Sequence, residues 1–181
     1  MPVFATYDDL KRLRPAPDNE QRLLREAASR SGKSVFLSHS SKDNELIPSV
    51  VGILEGEGGR VYVDLGDDRL PDVPSPETAA ILRDTVRQTQ SFVLLVTPNS
   101  KDSIWIPWEL GLADGAHGPA RVSLFPVANA AAEMRWSEQE YLGLYQRIVW
   151  GRIKGYEREL WMVWDHHDNT ATPLRRWLNS D

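Results

Sequence analysis

The sequence predicts an α/β domain built on a mostly parallel sheet. Three observations carry this. Short apolar runs rich in strand formers alternate along the chain with segments of helical periodicity. The run Phe92-Val93-Leu94-Leu95-Val96 has no polar alternation, as a strand buried on both faces requires. The chain has 181 residues, 41% of them hydrophobic and 26% charged, which suits one domain with a sizeable core.

The elements follow in order. Residues 1–33 are polar and predict a helical extension, with a helix over Asp18 to Arg30 that carries Leu23, Leu24 and Ala27 as a narrow stripe and stops near Gly32. Ser34 to Ser38 is the first strand. The polar loop His39-Ser40-Ser41-Lys42-Asp43 leads into a helix expected from Asn44 to Glu55. Pro48 lies inside that pattern, so the helix starts close before it or bends there. Val61 to Asp64 is the second strand, followed by a long loop, Leu65 to Pro76, of the length that often carries function. A helix over Glu77 to Gln88 precedes the third strand, Phe92 to Val96. Thr97-Pro98-Asn99-Ser100 breaks that strand. A helix then runs from about Ile104 to Ala113, with Ser103 as its expected N-cap and Pro107 in its first turn. Val122 to Val127 is the fourth strand. Tyr141, Leu144, Tyr145 and Ile148 are spaced for one face of a helix over Trp136 to Ile148. Leu160 to Trp164 is the fifth strand, and Thr172 to Leu178 a closing helix.

Composition narrows the function classes. A formal net charge of −5 argues against broad binding to nucleic acid or to anionic membrane. The absence of cysteine removes disulfides, thiolate metal sites and a cysteine nucleophile together. Met1 to Leu10 holds no apolar run of the signal-peptide kind, and no stretch approaches bilayer length. The expected setting is the cytoplasm. His166 and His167 diverge if extended, so no metal site is expected there.

One stretch concentrates chemistry. Ser103-Ile104-Trp105-Ile106-Pro107-Trp108-Glu109-Leu110 holds a single carboxylate among large apolar groups. On a helix, Trp105 and Glu109 share a face. Two readings stand for Glu109: a surface acid on an amphipathic helix, or a desolvated acid beside a ring that offers a stacking surface. In parallel sheets ligands collect beyond the carboxyl ends of the strands. Those ends release Ser38 to Asp43, Asp64 to Pro76 and Thr97 to Ser103, and the Glu109 helix begins directly after the third. That order favours the second reading, with Trp108 left to the core.

Together these residues resemble a Toll/interleukin-1 receptor (TIR) domain of the bacterial type. Val35-Phe36-Leu37-Ser38-His39-Ser40-Ser41-Lys42-Asp43 is similar to the family's opening box. Val61-Tyr62-Val63-Asp64 matches the strand before its long BB loop, and Trp105-Ile106-Pro107-Trp108-Glu109 matches its Trp-x-x-x-Glu element. The likeness covers residues 34 to 128 well and is weaker beyond Val127. It implies a flavodoxin-like three-layer sandwich around a five-stranded sheet, with residues 34–181 forming a TIR domain whose C-terminal part is extended.

The resemblance implies cleavage of the nicotinamide–ribose bond of NAD+. The products would be nicotinamide and either ADP-ribose or a cyclic ADP-ribose isomer, as in Thoeris-type antiphage defence. NAD+ is then substrate, and neither cofactor nor metal is expected. Implied partners are other copies of the domain, through TIR–TIR contacts, and a downstream effector that senses the product. Glu109 takes the catalytic place, as a carboxylate that holds the ribose hydroxyls. Trp105 packs on nicotinamide or ribose. Phe36 suits either the core or a ligand contact. Ser38, His39, Ser40 and Lys42 lie at a strand-to-helix turn whose N–H groups suit phosphate, or they form a solvated capping loop. Asp64 and Arg69 complete the candidate binding set, and Asp43 reads as a helix cap. Two other functions compete: a non-catalytic TIR interaction module, and an enzyme like the nucleoside deoxyribosyltransferases.

Overall fold

A computed structural model describes residues 2–65, 75–129 and 140–180. Its sheet contains strands β1 (Ala5–Thr6), β2 (Val35–Ser38), β3 (Val61–Val63), β4 (Ser91–Val96), β5 (Val122–Ala128), β6 (Gln146–Gly151), β7 (Leu160–Asp165) and β8 (Thr170–Pro173). The helices are α1 (Tyr7–Arg12), α2 (Pro17–Ala27), α3 (Ile47–Gly56), α4 (Pro76–Gln88), α5 (Trp105–His117) and α6 (Leu174–Leu178). The strand order is β3-β2-β4-β5-β6-β7-β8, with β1 beside β5. Pairing is parallel from β3 through β6 and antiparallel from β6 to β8.

Alternating side chains of the strands supply two cores. Val35, Leu37, Val61, Val63, Val93 and Leu95 face α1, α2, α3 and α6. Phe36, Tyr62, Phe92, Leu94 and Val96 face α4 and α5. The expected three-layer sandwich is therefore present, and the uninterrupted apolar strand β4 lies in the middle of it. Its six residues are all buried.

The N-terminal extension is more than an added helix. Thr6 and Asp9 form a reciprocal cap that starts α1: the Asp9 N–H donates to Thr6 Oγ1 at 3.1 Å, and Asp9 Oδ2 accepts from the Thr6 N–H at 3.0 Å. Just before it, β1 pairs with Val127 and Ala128 of β5. Val3 exchanges backbone hydrogen bonds with Trp150 at 2.8 and 2.9 Å. Residues 3–6 are thus part of the sheet.

Three helix expectations change. The chain from Ser41 to Leu46 forms a 3₁₀ helix, and α3 starts only at Ile47. Pro48 becomes the second residue of α3, where its missing N–H costs nothing. The helix expected over Trp136 to Ile148 is not formed. Residues 136–139 lie outside the described residues, Glu140–Leu144 is a 3₁₀ turn, and Gln146 onward is strand β6. Ile148 and Val149 settle the conflict, because they bury into opposite cores, as only a strand allows. Leu144, expected inward, is exposed. Finally, Thr172 and Pro173 belong to β8, and only Leu174–Leu178 is helical. With β1, β6 and β8 added, the sheet has eight strands among the described residues where five were expected.

The topology sets the position of the site. β2 pairs with β3 on one side and with β4 on the other. The chain therefore leaves β2 in one direction and returns past it to β4. This reversal opens a crevice at the carboxyl ends of β2 and β4.

Candidate active site

Helix α5 carries Glu109 into the crevice. Ile106, Leu110 and Ala113 recur at helical spacing and bury against the sheet. Glu109 follows Ile106 by three residues, so it shares this inward face and is only 5% exposed. The Ser103 hydroxyl accepts from the Ile106 N–H at 3.4 Å, while Ile104 occupies the N-cap position without a side-chain cap. The helix stops at Gly118, whose φ of 76° suits glycine.

A carboxylate in such surroundings needs a partner. Ser38, the last residue of β2, supplies it: Ser38 Oγ donates to Glu109 Oε2 at 2.5 Å. Burial, helped by the neighbouring Asp64 carboxylate and only partly opposed by the Ser38 bond, nonetheless pushes the Glu109 carboxyl up to about 8. At neutral pH, below that value, the group is mostly a neutral acid.

Asp64, at the end of β3, is 36% exposed at the side chain and borders the same crevice. His39 Nδ1 lies 3.4 Å from Asp64 Oδ1, a contact that is ionic when the ring is protonated. His39 Nε2 sits 3.1 Å from Asn44 Oδ1, within hydrogen-bonding distance. Ser38, His39, Asp64 and Glu109 thus come together from the carboxyl ends of two strands, β2 and β3, and one helix.

The remaining predicted positions divide. Trp105, one turn before Glu109, is half-buried and meets Trp108 edge-on, with centroids 5.4 Å apart at 81°. Trp108, read as core, is half-buried too, with the Arg83 guanidinium 5.9 Å from its ring centre. Phe36 is 1% exposed and lies between Tyr62 and Phe92, at 5.2 and 5.5 Å. It supports the floor of the crevice and offers no surface to a ligand. Ser40 is buried and accepts from the Lys42 N–H at 3.4 Å, which makes it the cap of the 3₁₀ helix. Lys42 Nζ pairs with Asp102 Oδ2 at 2.9 Å, both side chains being more than half exposed. Arg69 lies outside the described residues.

Asp43 corrects one expectation. It is not the cap of a helix, since Ser40 holds that place. It is 2% exposed and accepts from Thr97 Oγ1 at 2.7 Å and Asn99 Nδ2 at 2.6 Å. Sequence reasoning missed Thr97, Asn99 and Asp102 as its and Lys42's partners. The only available signal was that polar residues follow both strands that border the crevice.

Comparison with known proteins agrees with this architecture. The model of the TIR domain family matches residues 35–160. The chain is 35% identical over 150 residues to the Bacillus cereus (strain MSX-D12) protein named "Probable 3' cyclic ADP-D-ribose synthase ThsB'", covering 81% of this chain and 76% of that protein. It is 28% identical over 111 residues to the Cytobacillus dafuensis protein named "Putative cyclic ADP-D-ribose synthase TIR2", covering 52% of this chain and 29% of the other.

Proposed function

The chain belongs to the TIR domain family, and from that premise we propose that it cleaves the nicotinamide–ribose bond of NAD+ at the Glu109 crevice and releases a cyclic ADP-ribose isomer. The observation that carries this reading is the buried Glu109 carboxyl, held by Ser38 at the sheet's switch point. The names of the two relatives support cyclisation as the outcome.

The chemistry asks little of an acid. Nicotinamide departs from a cationic ring and takes the bonding electron pair with it, so it leaves neutral and needs no protonation. This differs from ordinary glycoside hydrolysis, which uses two carboxyl groups. What the reaction needs is negative charge near the ribose as the oxocarbenium character grows. The pyridinium of bound NAD+ and the ribose hydroxyls both favour the ionised form of Glu109. Binding therefore converts the acid into the carboxylate that accepts from the hydroxyls and stabilises the developing cation. Trp105 supplies an apolar wall for the nicotinamide or ribose. Capture of the cation by a hydroxyl of the same molecule closes the cyclic product, with loss of that hydroxyl's proton. Capture by water gives ADP-ribose.

In this reading the product is a nucleotide signal in bacterial antiphage immunity, sensed by a separate effector, and copies of the domain associate to become active in the cytoplasm. The test incubates the pure protein with NAD+, with and without a crowding agent, and follows nicotinamide release and nucleotide products by mass spectrometry and NMR. A folded Glu109→Gln variant with full activity overturns the assignment. A protein that never releases nicotinamide, even when assembled, favours an interaction module.

A further inference from the structure

The loop after β4 decides where α5 begins, and so where Glu109 sits. The chain leaves β4 at Val96 and reaches α5 at Trp105 through a short 3₁₀ segment, Pro98–Asp102. Helix α5 has no side-chain N-cap of its own at Ile104. The Ser103 hydroxyl accepts from the Ile106 N–H in its first turn, and the position of that entry is set further by what holds residues 97–102.

Two ties from the loop after β2 hold them. Asp43 accepts from Thr97 Oγ1 at 2.7 Å and Asn99 Nδ2 at 2.6 Å, and Lys42 pairs with Asp102 at 2.9 Å. The ties differ in weight. The Lys42–Asp102 pair is exposed and contributes little. Asp43 is buried, and a buried carboxylate is tolerated only while its donors stay in place. Thr97 Oγ1 in turn accepts from the Asn99 N–H at 3.0 Å, which shapes the turn itself. Ser38 lies five residues before Asp43 on the same loop-bearing segment, and its hydroxyl meets Glu109. Both ends of the Ser38–Glu109 contact are thus mounted on segments that Asp43 joins.

We propose that Asp43 is a positioning residue of the active site, whose carboxylate clamps the β4–α5 loop to the β2 loop and so fixes Glu109 against Ser38 and the substrate ribose. The proposal rests on the NAD+-cleaving reading for its consequence in turnover and on geometry alone for the clamp.

Because the Glu109–ribose interaction matters most as charge develops, a misplaced Glu109 lowers kcat more than it raises KM. Asp43→Ala is expected to lower kcat by about 100-fold, the scale of a misplacement of about 1 Å, with KM changed by less than about threefold. Asp43→Asn keeps one acceptor and recovers part of the loss. Thr97→Val and Asn99→Ala each remove a single donor and serve where Asp43→Ala fails to fold. In the Asp43→Asn/Asn99→Ala double variant the losses are not additive, since both act through one contact. Val51→Ala, in the opposite core, is the control for lost stability alone: it lowers the melting temperature and leaves kcat in place. If the Asp43 variants lose activity only as Val51→Ala does, the proposal fails.

A second readout needs no turnover. The Trp105 indole N–H resonance, at the first residue of α5, is expected to move in Asn99→Ala and Asp43→Asn and to stay in Val51→Ala. A wild-type protein that never cleaves NAD+ overturns the functional reading and leaves this test intact. An unmoved indole overturns the clamp.

Discussion

Ser38 Oγ donates to Glu109 Oε2 across 71 residues of sequence, joining the end of β2 to the second turn of α5 inside the crevice. The bond holds the acid in one orientation but does not offset its burial, since the carboxyl is still pushed up to about 8. The site therefore keeps a proton that a free glutamate would have lost. Its burial comes at a cost in stability at neutral and alkaline pH.

That cost is measurable. Between the ordinary value of 4.5 and the folded value of about 8, the folded chain binds a proton at Glu109 that the unfolded chain has released. Stability from this group therefore falls as pH rises across that window. Glu109→Gln removes the ionisation and leaves an amide oxygen to accept from Ser38. The variant is expected to melt roughly 5 °C or more above wild type at pH 8.5, with a much smaller gap at pH 5. Nicotinamide release is expected to fall by about 1000-fold or more, the scale of losing a charge aimed at the transition state. Calorimetry at the two pH values checks the first claim. Equal melting temperatures throughout would mean that Glu109 is not buried as an acid.

The parallel core was readable in the sequence because its signals are local. Val35 to Ser38, Val61 to Val63 and Ser91 to Val96 are apolar without alternation, and each burial follows from that pattern. The carboxyl-end loops and the Glu109 helix followed from element order alone. The antiparallel part was less legible. Tyr141, Leu144, Tyr145 and Ile148 mimic a helix face, and only pairing of Ile148 with Val163, a tertiary fact, makes them turn and strand. Within the site, the contacts of Asp43 and Lys42 span 54 to 60 residues and leave no local trace.

Phe36 separates floor from wall. Enclosed by Tyr62 and Phe92, it contributes to packing and not to ligand contact. Phe36→Ala is expected to cost about 3–5 kcal/mol. Phe36→Leu, closer in volume, is the better probe. It lowers the denaturation midpoint, while KM for NAD+ stays within about twofold when measured well below that midpoint. A large rise in KM at unchanged stability would put the ring in contact with substrate.

Lys42 gives a contrasting case. Its pair with Asp102 is more than half exposed on both sides, and such pairs contribute about 0–1 kcal/mol. Lys42→Ala should leave the melting temperature within roughly 3 °C of wild type. If Lys42 instead turns to the pyrophosphate when NAD+ binds, the variant raises KM severalfold and that rise shrinks at high salt. Unchanged KM at low salt restricts Lys42 to the loop tie.

The ionisation of Glu109 should also govern turnover with pH. The free crevice holds a neutral acid below about 8 and a carboxylate above it. Only the carboxylate accepts from both ribose hydroxyls and opposes the growing positive charge. Since kcat/KM reports the free enzyme, it is expected to rise with pH and level off above about 8. Two variants fix the assignment through opposite shifts. The Ser38 bond lowers the carboxyl, so Ser38→Ala moves the midpoint up. The Asp64 carboxylate raises it, so Asp64→Asn moves the midpoint down and increases the fraction of plateau activity reached near pH 6.5. The same linkage applies to binding: a non-cleavable NAD+ analogue should bind more tightly as pH rises from 6 to 8, with proton release detectable by calorimetry in two buffers of different ionisation heat. A pH-independent kcat/KM, or a midpoint that moves the same way in Ser38→Ala and Asp64→Asn, removes Glu109 as the titrating group.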